Sequence, residues 1–512
     1  MPFVQPDLCF CIIIMLLIKL LGEKPTGWTE MENINQRMAR GMAWMVAARL
    51  ADRSVGLLST IILARLLVPG DFGLIAMATA IGAMLDLFGA FSFDVALIQK
   101  SQAERRHYDT AWTLNLIFGV VCGLGMILLA IPAAGFYNEP RLTEVMYVLS
   151  ISSFVIALNN IGIVDFRKEL NFRQEFIFIF VRRILTFFVT IAMAIIFRSY
   201  WALLVGITLG RIINCWMSYV MSNYRPRLSL AAWRELFGFS KWLFVNNLLH
   251  FLRNGGITFV IGRMFGAREL GVYRISYELS HLPSTELVAP INRVAFPGYA
   301  KMKTPDEVRV SYLNLLGLIT LVILPIGVGI AAVAQPMVLT ALGDQWVDAT
   351  ALIGILAISG AINATQTNNT SVFLAMGHPH KITIFQTCYL AILFPALYFS
   401  LKEYGIVGAG YAYLLAQVVD AVLQTALTKS LLHFSWSQIV KVAWRPAIGA
   451  FIMYAVVAAV DQQIIQQAPW VRLLLDVLAG IAVYAVSILV LWLVSGRPVG
   501  SETTVLSRLK LM

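Results

Sequence analysis

The residues of this chain that are best suited to chemistry are the ionisable groups inside its long apolar segments. Arg49, Asp52 and Arg53 lie together in one such segment, and Arg253 lies in another. A charge at the centre of a bilayer costs about 2.5–3.5 kcal/mol on the insertion scale, so such residues usually face a wet interior. Arginine stays charged at any working pH and can bind a phosphate with two parallel hydrogen bonds. These residues predict a polar cavity that accepts an anion.

A second group of ionisable residues lies in the apolar segment 270–298, where Arg274, Glu278 and His281 follow helical spacing. Carboxylates and histidine can change charge inside a cavity, so they can couple transport to protons or sodium. We predict four residues as ligands of the anion, namely Arg49, Arg53, Arg253 and Arg274. The candidates for ion coupling are Asp86, Glu278, His281 and Glu286.

Local pairing is the alternative interpretation of the same charges. Asp52 and Arg53 could neutralise Arg49 or each other, and Arg274 could pair with Glu278. Three further arginines could extend along apolar surface to the membrane boundary instead of facing a cavity. These are Arg182, Arg183 and Arg211.

The composition of the chain indicates that water is not its main solvent. Of its 512 residues, 59% are hydrophobic and 13% are charged, whereas soluble domains carry about 25% charged residues. This excludes a cytosolic enzyme and a disordered chain. The net charge of +11 is typical of basic loops beside anionic lipid, and we expect no nucleic-acid partner.

Hydropathy divides the chain into fourteen candidate spans joined by short loops, none of which could hold a soluble catalytic domain. The sequence therefore predicts an all-α integral membrane protein. The fourteen ranges are 41–67, 72–98, 110–135, 142–164, 174–197, 200–223, 238–264, 270–298, 309–334, 348–376, 381–401, 403–429, 447–460 and 470–494.

Basic residues are concentrated in alternate loops. One side holds most of them, and the positive-inside rule makes that side, with both termini, cytoplasmic. The other side holds little beyond Arg141, Arg198, Arg268 and Lys402.

The chain contains a repeat. A shift of 198 residues pairs Trp44 with Trp242, Thr60 with Thr258, Arg65 with Arg263, Asp71 with Glu269 and Gly73 with Gly271. Six spans separate the two copies, an arrangement typical of transporters with parallel repeats around a central cavity. We predict two pseudo-symmetric six-helix lobes, at 31–236 and 237–430. Within each lobe we expect an ion pair that fixes a loop, Arg65 with Asp71 and Arg263 with Glu269.

The two ends of the chain lie outside this repeat. Residues 431–512 are predicted to form an interfacial amphipathic helix, ended by Pro446, and two further spans. Residues 1–30 contain a short apolar run that fits a signal peptide, an anchor or an upstream extension before Met31. The five cysteines are scattered, so we expect no disulfide framework, metal or cofactor.

Several segments resemble the polysaccharide-transporter, or O-antigen flippase, family. The most similar branch is that of lipopolysaccharide or exopolysaccharide biosynthesis proteins of the colanic-acid exporter kind. The segments are ARLLVPGDFGLIAMA at 64–78, VALIQK at 95–100, TAWTLNL at 110–116, DFRKELNFRQ at 165–174 and the long block at 262–302. The sequence departs from the family pattern at 91–94, which leaves Asp94 without an assigned role.

The resemblance implies a fourteen-helix, two-lobed fold of the multidrug/oligosaccharidyl-lipid/polysaccharide superfamily. It implies a flippase of the bacterial inner membrane that moves undecaprenyl-pyrophosphate-linked oligosaccharide by alternating access, with cavity arginines on the pyrophosphate. It also implies contact with membrane lipid, and polymerase and export machinery as candidate partners. Small-molecule efflux by the same fold is an alternative, and a membrane glycosyltransferase or polymerase is a weaker one because no long extracytoplasmic loop is present.

Overall fold

The computed structural model describes residues 51–87, 93, 97, 104–168, 172–302 and 304–498. The N-terminal extension 1–30, Arg49 and Asp94 lie outside the described residues. Over the described residues the chain is helical. The helices are α1 (51–66), α2 (Pro69–Asp86), α3 (Arg105–Tyr137), α4 (Arg141–Ala157), α5 (Phe172–Phe197), α6 (Tyr200–Met221), α7 (Trp233–Pro283), α8 (Ala289–Lys301), α9 (Pro305–Ala332), α10 (Ala334–Ala341), α11 (Ala349–Ala375), α12 (His380–Tyr404), α13 (Val407–Leu432), α14 (Trp436–Gln463) and α15 (Pro469–Val494).

Eight of the described helices are long and apolar enough to cross a bilayer. The number is nine if α4 and the turn Ile161–Lys168, bent by 64°, form one broken span. Large apolar side chains on these helices point outward, as Leu128 does in α3, because lipid rather than water surrounds them. The chain is a multi-pass membrane protein. Each of the fourteen predicted ranges overlaps a described helix, but the number of crossings stays a prediction.

Helix α7 changes direction at Gly266, which has φ +79° and ψ −170°. This backbone conformation is essentially restricted to glycine. The predicted spans 238–264 and 270–298 therefore meet at a sharp joint rather than at a loop.

The prediction that Pro446 ends an interfacial helix is wrong. Helix α14 begins after its N-cap Ser435 and continues through Pro446 to Gln463. Pro446 is buried, and one turn later α14 lies close to α15, because a Cβ on Gly449 would lie 3.2 Å from the Tyr484 ring, closer than ordinary van der Waals contact. Packing against a neighbouring helix allows a proline inside a membrane helix, so the amphipathic segment forms the first turns of α14.

Among the described helices, the closest approach of two backbones at a glycine joins α2 to α7. A Cβ on Gly73 would overlap the carbonyl oxygen of Ala267, and a Cβ on Gly271 would overlap that of Pro69. Under the 198-residue shift, Gly73 corresponds to Gly271 and Pro69 corresponds to Ala267. The contact of Gly73 with Ala267 is therefore equivalent, in the repeat, to the contact of Gly271 with Pro69. Glycines let two helix backbones approach this closely inside a membrane.

The end of α1 is attached to the opposite half of the chain. The Arg65 guanidinium donates to the carbonyl oxygens of Leu339 and Ala341, both at 3.1 Å, at the end of α10. Trp346 donates to the Ala64 carbonyl at 2.8 Å. Carbonyls at a helix C-terminus lack partners within the helix and attract cations. This explains why Arg65 is directed there.

The two loop-fixing ion pairs predicted from the repeat are not among the contacts of the described residues. Asp71 accepts a hydrogen bond from the backbone N–H of Val68 at 3.3 Å, which caps its own helix. Glu269 lies 3.9 Å from Arg268, and Arg263 lies over the Phe136 ring at 5.8 Å. Helix ends and aromatic rings compete with the acids for the arginines.

The α2–α7 crossing predicts that alanine substitutions at two glycines of α2 have different effects on the stability of the protein. Gly73→Ala places a methyl group against backbone, which cannot give way cheaply, and overpacking of this kind costs about 1–3 kcal/mol. Gly70→Ala is the matched control because a Cβ there would have no atom within 4 Å. We expect Gly73→Ala to lower the unfolding temperature of the purified protein by several degrees and Gly70→Ala to leave it unchanged. Equal unfolding temperatures for the two variants would contradict the crossing.

Candidate functional site

A cavity of about 1040 Å³ lies among the first six helices. Every helix from α1 to α6 contributes to its wall, and Thr285 and Glu286, which follow α7, close one side. Its volume is at the upper end of the range for small-molecule sites, about 300–1,000 Å³. The charged and amide residues of the lining are four arginines (Arg53, Arg167, Arg182, Arg211), four acids (Asp52, Asp86, Glu175, Glu286) and four asparagines (Asn115, Asn159, Asn160, Asn214).

Arg53 connects the two halves of the chain across this cavity. Its guanidinium lies 3.1 Å from the Glu286 carboxylate and 3.9 Å from that of Glu278. All three side chains are partly exposed. Ion pairs in such a wet setting contribute little net free energy, so this bridge can break and re-form at low cost.

Two other pairs neutralise charge near the cavity. Arg167 lies 2.7 Å from Glu175, and Arg183 lies 3.6 Å from Asp52. These four charges are already matched within the protein.

Arg182 and Arg211 have only neutral hydrogen-bond acceptors among the described residues. Arg182 donates to the Asn214 amide oxygen at 3.2 Å, and Arg211 donates to the Ser152 hydroxyl at 2.7 Å. No described carboxylate lies within 4 Å of either guanidinium, although Asp52 and Asp86 act on them at longer range. The cavity therefore presents two arginines that an anion could bind.

The packing of α5 against α6 fixes the depth of these two arginines. A Cβ on Gly210 would lie 2.9 Å from the Thr186 side chain, so the helices approach closely just beside Arg211. Residues four apart on a helix share a face. Arg182 precedes Thr186 by four residues, so it lies on the face of α5 that meets α6, and both Arg182 and Arg211 line the cavity.

Three of the predicted site residues lie in the cavity wall, namely Arg53, Asp86 and Glu286, and Glu278 lies beside Arg53. Arg49 lies outside the described residues. Arg274 is exposed and is not part of the cavity lining.

Arg253 and His281 lie in a separate buried cluster of the second half. The Arg253 guanidinium lies 4.1 Å above the Tyr389 ring and 3.5 Å from the Asp420 carboxylate. The His281 ring stacks on Tyr277 with 4.0 Å between ring centroids. Arg253 is thus neutralised inside the protein, away from the cavity.

The sequence left open whether Arg182 and Arg211 extend to the membrane boundary or face a cavity, and the depth of Arg211 along its helix is the signal that favours the cavity. Arg211 lies near the middle of α6 (Tyr200–Met221), about ten residues from either end. At about 1.5 Å per residue this is roughly 15 Å of helix, farther than an arginine side chain reaches. A residue at that depth needs a polar interior.

The model of the family described as "Polysaccharide biosynthesis protein" matches residues 62–351, more than half of the sequence. The chain belongs to this family. The match includes α2 to α6, and with them most of the cavity wall.

Similarities to individual proteins are consistent with membership of this family. The chain is 24% identical to the lipopolysaccharide biosynthesis protein WzxC of Escherichia coli K12, over 81% of this chain and 85% of that protein. It is 26% identical to the succinoglycan biosynthesis transport protein ExoT of Rhizobium meliloti, over 64% of this chain and 66% of that protein. Its fold is similar to that of the lipid II flippase MurJ in an inward closed conformation, with a TM-score of 0.72, 13% identity, and coverage of 88% of this chain and 99% of MurJ.

The bridge between Arg53 and Glu286 predicts a specific cross-link. In a variant without the five native cysteines, Arg53→Cys with Glu286→Cys should react with a short bifunctional thiol reagent in native membranes and join the two halves. After cleavage of a protease site placed in the loop between α6 and α7, the joined halves should migrate together on a denaturing gel. Arg53→Cys with Arg274→Cys is the control, since Arg274 lies outside the cavity. Equal yields from the two pairs would contradict the geometry.

Proposed function

We propose that the protein is a flippase that moves a lipid-linked oligosaccharide, carried on undecaprenyl pyrophosphate, across the bacterial inner membrane. The observation that carries the proposal is the pair of arginines, Arg182 and Arg211, which line a large cavity of an apolar helical bundle and have no carboxylate within 4 Å among the described residues. Membership of a polysaccharide biosynthesis family supports the same conclusion. So do a transport-protein relative and a fold like that of a flippase.

The physical problem is to carry sugars and two phosphates past hydrocarbon. Each hydroxyl that loses water without a new hydrogen bond costs several kcal/mol, and an unpaired charge costs far more. In our proposal Arg182 and Arg211 bind the pyrophosphate, because guanidinium groups match phosphate oxygens in charge and geometry. The cavity asparagines replace water around the sugars, and the prenyl chain stays in lipid.

Alternating access requires the cavity to open toward each side in turn. We propose that the two predicted lobes rock about the glycine crossing of α2 and α7, where the backbones touch. The Arg53–Glu286 bridge then changes with the state of the cavity, since it joins residues of different halves. A pyrophosphate that enters the cavity competes with Glu286 for Arg53, and this links substrate binding to the movement.

Ion coupling stays a prediction for Asp86, Glu278, His281 and Glu286. Two of these acids are beside Arg53 in the present conformation, and Asp86 faces the cavity near Arg211. The assignment of Arg49, Arg253 and Arg274 to the pyrophosphate also stays untested. Among the described residues we give Arg182 and Arg211 priority over Arg253, which already has Asp420 as its counter-ion.

The proposal predicts a loss of translocation in Arg182→Gln and Arg211→Gln. A hydrogen bond to a charged group contributes about 1.5–3 kcal/mol, so each change should slow flipping by about tenfold or more. The measurement is the amount of lipid-linked oligosaccharide in each leaflet, with surface polysaccharide measured in parallel. Precursor should accumulate in the cytoplasmic leaflet while the protein stays folded and inserted.

The control is Arg141→Gln, which removes a charge from an exposed arginine paired with Glu139 at 2.8 Å and outside the cavity. Normal export by both cavity variants would show that Arg182 and Arg211 do not have the proposed role. Unpolymerised units outside the membrane would point to a polymerase. Unchanged precursor pools combined with new drug sensitivity would favour small-molecule efflux.

A further inference from the structure

A second pocket, of about 800 Å³, lies where α3 begins and shares no lining residue with the cavity. Its wall contains three cations, Arg105, Lys168 and Arg225, and one carboxylate, Asp165. The remainder of its lining includes Tyr108 and Tyr224. The lining residues alone therefore carry a net positive charge.

The segment 222–232, which connects α6 to α7, forms one side of this pocket and is fixed to α3. The backbone N–H of Arg227 donates to Asp109 at 3.0 Å, and that of Ser229 donates to the Thr113 hydroxyl at 3.0 Å. The backbone N–H of Ala232 donates to Thr110 at 3.2 Å. An extended segment needs such partners for its donors, so the position of Arg225 is set by α3.

The cations of the pocket are poorly neutralised. Arg225 donates to the carbonyl oxygens of Ser222 at 2.6 Å and Tyr224 at 2.9 Å. The Lys168 ammonium lies 5.9 Å above the Tyr108 ring. Within the described part of the chain, only Arg105 of the three has a carboxylate within 4 Å, that of Asp109 at 3.7 Å.

Tyr224 adds no negative charge, which leaves Asp165 as the one carboxylate among the lining residues that can balance Arg225 and Lys168. Burial, together with its hydrogen bond to Asp109, raises the pKa of Tyr224 well above its ordinary value, so the phenol stays neutral. Asp165 already accepts a hydrogen bond from the Tyr108 hydroxyl at 2.5 Å.

The neighbouring side chains place the pocket at the boundary between lipid and water. Trp216 and Val220, in the last two turns of α6, are each 62% exposed, as expected of a helix surface in contact with lipid. Leu228 and Trp233, just beyond the pocket, are also exposed. Tryptophan is enriched at membrane interfaces, and basic residues at this depth lie at the level of the lipid phosphates.

We propose that this pocket binds the phosphate group of an anionic phospholipid. A phosphodiester can accept hydrogen bonds from Arg105, Arg225 and Lys168 while its acyl chains lie along the exposed apolar end of α6. The bound headgroup then attaches the segment between the two halves of the chain to one leaflet.

The experiment measures binding of phosphatidylglycerol to the purified full-length protein by native mass spectrometry, with phosphatidylcholine as the reference lipid. The pocket variant combines Arg105→Gln, Lys168→Gln and Arg225→Gln. The matched control removes three basic residues outside the pocket by Arg309→Gln, Lys381→Gln and Lys429→Gln. Each basic residue near a membrane surface contributes about 1 kcal/mol to binding of anionic lipid, so the pocket variant should weaken phosphatidylglycerol binding by about tenfold or more.

We expect the control variant to bind phosphatidylglycerol within about twofold of the parent, since its three residues do not line the pocket. Equal losses in the two triple variants would overturn the proposal, because general surface charge would then explain the binding. Inorganic phosphate is added in a separate arm. If millimolar phosphate displaces phosphatidylglycerol from the parent, the site takes a soluble phosphate and the lipid assignment is wrong. Lys168→Gln alone, which removes only a ring contact, serves as a second variant if the triple variant does not fold.

Discussion

The contact between the backbones of α2 and α7 at Gly73 and Gly271 is the constraint on which the rest of the structure depends. Because neither residue has a Cβ, the two helices approach until carbonyl oxygens occupy the space of side chains. The largest cluster of buried apolar residues surrounds this crossing and includes Met77, Leu270 and Trp346. In a bilayer, where no hydrophobic effect drives helices together, such close packing is a main source of association. The crossing also fixes where residues after α7, including Glu286, meet the first six helices.

The distribution of charge follows from this arrangement. A bilayer excludes unpaired charge, so each arginine of the interior must find an acid, a dipole or water. Arg253 has Asp420 and an aromatic face, and Arg65 has the carbonyls at the end of α10. Arg182 and Arg211 have an amide and a hydroxyl. That difference in partners, rather than the presence of arginine itself, separates structural cations from those available to a ligand.

Much of the fold could be predicted from the sequence because hydropathy acts over whole helices. Each predicted span overlaps a described helix, and the 198-residue repeat anticipated that Gly73 and Gly271 are equivalent. The site was harder to predict, because the partner of a charge depends on which helices meet. Arg65 and Asp71 are neighbours in sequence, yet Arg65 binds residues more than 270 positions away. Likewise, Pro446 has the local character of a helix end, but it is buried and α14 continues through it to Gln463.

The joint in α7 has a further consequence. At Gly266 a Cβ would meet no atom within 4 Å, so the surroundings would accept a larger residue. The backbone would not, because φ +79° with ψ −170° is unfavourable for L-amino acids, and a D-residue would suffer no such penalty. The requirement at this position is therefore one of handedness and not of size. The direction in which the chain leaves the first part of α7 therefore depends on a backbone conformation that glycine, an achiral residue, can adopt.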